Sequence, residues 1–178
     1  MKKIVETTIC FVLFLSLTSS LSFAKNNSFF QIHLVHPENE KIADRDPSEI
    51  DGYTKYIRKK NDYPKVVWVN DTIELDISDL KSVTYEPNTP NFPKIDKKYK
   101  MIPSQKINYS FKKEGAKKFA QITNRLSGQR IAIIINGTLF AVPAISSPIT
   151  GGEASLITII PEEKIKKIVE ELNENLTK

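Results

Sequence analysis

The stretch IAIIINGTLFAV, residues 131–142, constrains the fold more than any other part of the chain. Five consecutive aliphatic side chains, Ile131 to Ile135, leave no polar face. A strand of that kind is covered on both sides, so it belongs in the middle of a sheet. Asn136-Gly137 follows at once, and both residues tolerate the positive φ that a two-residue type I′ turn demands. Leu139 to Ile145 therefore returns beside Arg130–Ile135. Pro143 has no N–H to donate, so the returning ladder loosens there, at a bend or a sheet edge. A strand covered on both faces needs further layers, and the rest of the chain must supply them.

Upstream, Lys106 to Phe111 alternates like a half-buried strand. Ala116, Phe119, Ile122, Thr123 and Leu126 recur at three- and four-residue spacing, which predicts a helix with one apolar face. Gly128 ends it. Downstream, Gly151-Gly152 closes the connection and Ala154 to Ile160 forms the last strand. Pro161 opens a terminal helix, with Glu162 and Glu163 in the first turn and a stripe of Ile165, Ile168, Val169, Leu172 and Leu176. The order strand, helix, strand, strand, strand, helix predicts an α+β domain. It is close to a ferredoxin-like split β-α-β, with two helices on one face of an antiparallel sheet. Val66–Val69 and Ser82–Tyr85 are candidate strands for the place that this pattern leaves open. Asp76 to Leu80, between them, predicts a short turn or helix.

Phe29 to Val35 alternates as a strand, and Glu38 to Gly52 is an acidic loop. Pro87, Pro90 and Pro93 mark a long exposed loop. The expected division is a polar N-terminal β/loop extension over 25–64 and an α+β domain over 65–178. Residues 1–24 stand apart. Lys2-Lys3, the apolar run Ile9–Leu17 and Ser22-Phe23-Ala24 form the pattern of a signal peptide, with cleavage after Ala24. The run is shorter than the about 20 residues of a membrane span. The one cysteine, Cys10, lies inside it, so residues 25–178 hold together without disulfides. No later segment is long and apolar enough to cross a bilayer. The expectation is a soluble extracytoplasmic, periplasmic protein. The net charge of +5 is spread over small lysine groups such as Lys97-Lys98 and Lys166-Lys167, which mark solvated faces. The chain has no aromatic-basic motif for nucleic acid.

Reactive constellations are scarce. His33 and His36 are three apart, which puts them on opposite faces of an extended segment, and two ligands are too few for zinc. Asp44, Asp46, Glu49 and Asp51 crowd one loop without the glycine and glutamate of a calcium loop, and Arg45 sits among them. No serine lies in G-x-S-x-G, and no G-K-[ST] follows Gly151-Gly152. The reading is a non-enzyme with no catalytic, cofactor or metal site. An exposed edge near Pro143 is a place for an extended peptide to add as a strand. Phe140, Val142, Pro143, Ile145 and Pro148 are the candidate contacts, unless they are core.

Residues 111–152 resemble the head subdomain of the first periplasmic domain of SecD/SecDF, the protein-export accessory. The resemblance rests on Phe111, Glu114-Gly115-Ala116, Phe119, Ile122-Thr123 and Gly128–Ile133, then Gly137, Pro143, Ile149 and Gly151-Gly152. It extends more weakly over 65–176. The family's hairpin aspartate is Asn136 here, its helix-capping hydroxyl residue is Lys112, and a usual glycine in the last strand is Thr158. The resemblance implies a head module that contacts unfolded exported polypeptides or a Sec translocon partner. It does not imply the proton-driven membrane part. The alternative is an envelope structural or interaction protein of the same fold with no role in export.

Overall fold

The computed structural model describes residues 28–59, 63–87 and 104–177. The expected signal peptide, residues 1–24, and most of the expected proline-rich loop lie outside the described residues. Among the described residues eight strands form in chain order: β1 Phe30–Val35, β2 Tyr53–Ile57, β3 Val66–Asp76, β4 Leu80–Glu86, β5 Gln105–Phe111, β6 Ile131–Ile135, β7 Thr138–Ala141 and β8 Glu153–Thr158. Two α-helices accompany them, α1 Lys113–Arg125 and α2 Glu162–Leu176. The antiparallel α+β class and the two helices agree with the sequence reading.

The ferredoxin-like single sheet does not appear in the strand pairing. The strands divide into a five-stranded sheet, β2-β3-β1-β6-β7, and a three-stranded sheet, β4-β5-β8. The reason lies between β3 and β4. Ile77–Asp79 is one turn of 3-10 helix held by a capping box, in which the Asp76 side chain accepts from the Ser78 N–H and the Asp79 carboxylate accepts from the Asp76 N–H. That turn carries the chain out of the larger sheet and into the smaller one. Helix α1 crosses back, from β5 in the small sheet to β6 in the large one.

β1 is antiparallel to β3 on one side and to β6 on the other, with Ile32 opposite both Leu75 and Ile133. A boundary at 64/65 would thus run between strands that pair with each other. β6 lies between β1 and β7 with all five residues buried, as its aliphatic run requires. The hairpin turn has φ 48° at Asn136 and 70° at Gly137. β7 pairs from Thr138 to Ala141, shorter than expected, and resumes only as an isolated bridge between Arg130 and Ala144. Pro143 stands in the gap.

The main core lies between the sheets and the helices. Phe30, Ile32, Leu75, Ile107, Phe119, Ile133, Ile165 and Leu172 belong to it. A second cluster on the other face of the large sheet joins Val35, Val67, Val69, Ala132, Ile134 and Val142. Because the β6 aliphatics feed both clusters, neither face of this strand meets water.

Candidate functional site

The family-like motifs of α1 have local mechanical roles. Gly115 is buried against the turn at Asp79, and the Lys112 N–H donates to the Asp79 carbonyl at 2.8 Å. The Lys112 side chain makes no cap. Lys118 reaches the Asp79 carboxylate at 2.9 Å, which holds its ammonium above the ordinary lysine range. Fully buried Thr123 donates to the Phe119 carbonyl at 2.8 Å and accepts from the Ile149 N–H at 2.9 Å. The hydroxyl thereby ties the long β7–β8 connection to the helix.

That connection sets the distance between two sheet edges. β7 ends the large sheet and β8 ends the small one. Between them lies a groove of about 280 Å3, with Phe140, Pro143, Leu156, Ile157 and Ile159 on its walls and Arg58 beside them. Ile157 is 40% exposed and Ile159 is 60% exposed. Leaving such side chains in water forgoes part of the 1.5–3 kcal/mol that full burial of an isoleucine gives (about that range per residue). A second cleft, of about 300 Å3, lies among Pro37–Lys41, Pro64 and Gly128–Arg130. Within it Glu38 pairs with Lys41 at 2.7 Å and Arg130 donates to the Val142 carbonyl at 3.1 Å.

The residues singled out from sequence divide. Phe140 and Pro143 are half-buried on the groove wall, and Pro148 is exposed and lies outside the groove lining. Val142, largely buried in the second core cluster, also lines the groove, and Ile145 is buried in the main core. Sequence reasoning passed over Arg58, Ile157 and Ile159. A signal for the isoleucines was present. In Ala154–Ile160 the even positions make the buried face, so Ile157 and Ile159 fall together on the opposite, exposed one.

The histidines do not meet at a common centre. His33 is buried, with Nδ1 2.8 Å from the Asn70 carbonyl and Nε2 3.0 Å from Oε1 of Gln31. His36 packs edge-on against Tyr53 at 4.8 Å. In the acidic loop, Asp46 accepts from Ser48 and Glu49 pairs with Arg45 at 3.0 Å. Among the described residues, no three His, Cys, Asp or Glu side chains gather as a metal site.

Burial holds the His33 imidazole below its ordinary pKa of 6.5, against the opposing pull of the Asn70 and Thr72 backbone and of Asp71 and Glu74. The unfolded chain therefore takes up this proton more readily than the folded one. The His33 contribution is constant above pH 6.5 and is lost as pH falls from there through the folded value. Urea midpoints at pH 7.5 and 5.5 should show this loss, and His33→Gln should reduce it. An unchanged pH difference in the variant would contradict this assignment.

Among the described residues no helix is long and apolar enough to cross a membrane. The family model of the SecDF P1 head subdomain matches residues 57–168. Fifty residues are 44% identical to protein translocase subunit SecD of Acidaminococcus fermentans, covering 28% of this chain and 12% of that protein. Sixty-two residues are 36% identical to protein translocase subunit SecDF of Thermus thermophilus, covering 35% of this chain and 8% of that protein. The chain thus spans a small part of either relative. A solved structure of SecDF, described as a membrane component that enhances protein export, superposes with TM-score 0.53 and 20% identity over 82% of this chain and 62% of that one. SecDF in a super-membrane-facing form gives the same score and identity over 82% of this chain and 18% of that one. At this identity the likeness is one of fold.

Proposed function

The chain belongs to the SecDF P1 head subdomain family, and from that membership we propose an exported, non-enzymatic module of protein export. It works outside the cytoplasm and holds unfolded exported polypeptide in the groove between β7 and β8. The observation that carries this reading is the groove itself, an open groove of mixed lining between two sheet edges, with Ile157 and Ile159 partly in water.

The energetics fit transient holding. Covering the exposed parts of the two isoleucines supplies about 1.5–3 kcal/mol before any other contact or cost is counted. Set against the several kcal/mol that association itself costs, gains of that size with a few backbone hydrogen bonds leave binding weak, with a dissociation constant expected at roughly 10 μM to 1 mM. A chain in transit must be released, and weak binding allows it.

The test uses a fluorescein-labelled, reduced and carboxymethylated polypeptide that cannot fold. Its anisotropy should rise on titration with the purified protein, with a midpoint in that range, and a natively folded control should not respond. No rise up to millimolar protein would overturn the proposal. Retention of a Sec translocon component in place of the unfolded chain would also overturn it, in favour of a partner-docking role.

A further inference from the structure

Four strands present an outer edge: β2 and β7 in the large sheet, β4 and β8 in the small one. An open edge is a template for another strand, and proteins blunt such edges with charges, prolines, bulges or covering side chains. Three of the four are blunted. On β4 the Asn173 amide of α2 behaves like a partner strand, accepting from the Val83 N–H at 3.2 Å and donating to the Val83 carbonyl at 2.8 Å. β7 is four residues long, has a register shift opposite Ile133 and Ile134, runs out before Pro143, and loses the Val142 carbonyl to Arg130. β2 carries Lys55, whose ammonium ties the loop at Arg45 across it at 2.7 Å.

β8 carries one charge, Glu153, at its first residue and none of the other guards. Its six residues contain neither proline nor lysine, and its ladder with β5 runs without a break from Glu153 opposite Ser110 to Thr158 opposite Gln105. Among the described residues nothing pairs with its other edge. The groove borders its C-terminal half, and Arg58 stands there with Leu156–Ile159, its guanidinium also donating to the Tyr63 carbonyl at 2.9 Å and the Pro64 carbonyl at 3.5 Å. Glu153 lies at the opposite end. The edge therefore has a positive end and a negative end.

We infer that the bound polypeptide adds to β8 as an antiparallel strand, in the form of an extended aliphatic segment with a carboxylate at its start and a cation at its end. This rests on the function proposed above and specifies its mode. Antiparallel pairing sets the first residues of the segment beside Ile159 and Arg58 and its last residues beside Glu153. Alternate side chains of the segment enter the groove against Phe140, Pro143 and Leu156. The strand-adding edge is thus β8 and not the neighbourhood of Pro143.

Two fluorescent peptides of identical composition test it, acetyl-DVTITVK-amide and acetyl-KVTITVD-amide. The first should bind about tenfold more tightly, a difference that opposite against like charges at both ends can supply. Arg58→Glu should narrow or reverse that order. N-methylation of alternate residues in one register should abolish binding of the first peptide, since it removes the N–H groups aimed at β8, while the other register is tolerated. Ile157→Lys, on an exposed site, should weaken binding about tenfold by placing a guard on the edge, and it keeps the test decisive if Arg58→Glu does not fold. Equal binding of both peptides, or indifference to both N-methylated registers, would overturn strand addition to β8. Binding of the unfolded polypeptide in that same experiment would leave the proposed function standing, and its absence would remove both.

Discussion

Replacing Trp68 with alanine should destabilise the protein by about 3–5 kcal/mol, the usual cost of truncating a buried tryptophan. Trp68 is fully buried in β3, the strand that borders both β1 and β2. Its indole N–H donates to the Ile42 carbonyl at 2.9 Å, and its backbone N–H donates to the Asn39 side chain at 2.7 Å. Asn39 in turn donates to the Val66 carbonyl at 2.8 Å, and the Lys55 ammonium stands 5.2 Å from the indole ring. One side chain therefore clamps the polar 38–45 loop onto the large sheet. Domains of this size are stable by roughly 5–15 kcal/mol, so the variant should be close to unfolding at room temperature. Urea denaturation followed by far-ultraviolet circular dichroism measures it, because Trp68 is the chain's one tryptophan and its fluorescence disappears with it. Trp68→Phe should cost less, about 1–2 kcal/mol, chiefly from the orphaned Ile42 carbonyl. A loss under about 1 kcal/mol for the alanine variant, against that expected range, would show that the loop is not held in this way.

Gly115→Ala should also destabilise, against the ordinary sign for a helix interior. Alanine in place of glycine normally gains about 1 kcal/mol there. At Gly115 the added Cβ would sit 2.5 Å from the Asp79 carbonyl oxygen and 2.8 Å from the Asp79 Cβ. The turn cannot yield easily. Its carbonyl accepts from Lys112, its carboxylate is bonded to Asp76 and Lys118, and the chain on either side belongs to two different sheets. Overpacking of this kind costs about 1–3 kcal/mol, so a net loss is expected once the helical gain is subtracted. The contrast is Ala120→Gly in the same helix, where removing a Cβ should cost about 1 kcal/mol. Both changes should lower the urea midpoint. A raised midpoint for Gly115→Ala would mean that α1 can slide away from the turn.

These two sites differ in how far they could be read beforehand. Glu114-Gly115-Ala116 stood out as a family-like motif, but its contact partner, 36 residues earlier in the chain, did not. Trp68 was assigned to a strand without any sign that the acidic loop would close over it. The helix faces were legible, since Phe119, Ile122 and Thr123 on α1 and Ile165, Val169 and Leu172 on α2 are buried at the spacing that predicts them. The hairpin was legible too, because only a few residue pairs tolerate two positive φ angles in succession. Val142 and Ile145 were ambiguous, since an aliphatic residue beside an edge strand has the same local pattern whether it faces the core or a partner.

By itself the sequence determined both helices, every strand but β2 and the second half of β3, the tight turn at Asn136-Gly137, the doubly covered β6 and the break at Pro143. These follow from short-range sterics and from side-chain periodicity, which act within a few residues. Only the tertiary structure decided that the strands form two sheets, that β1 enters between β3 and β6, and that β8 keeps an open edge. Strand pairing is made by backbone groups that every residue carries, so the sequence of β1 specifies a buried face and not its neighbours. The choice is made by the bend at Ile77–Asp79 and by the distant side chains, Asn173 and Arg130 among them, that occupy the competing edges.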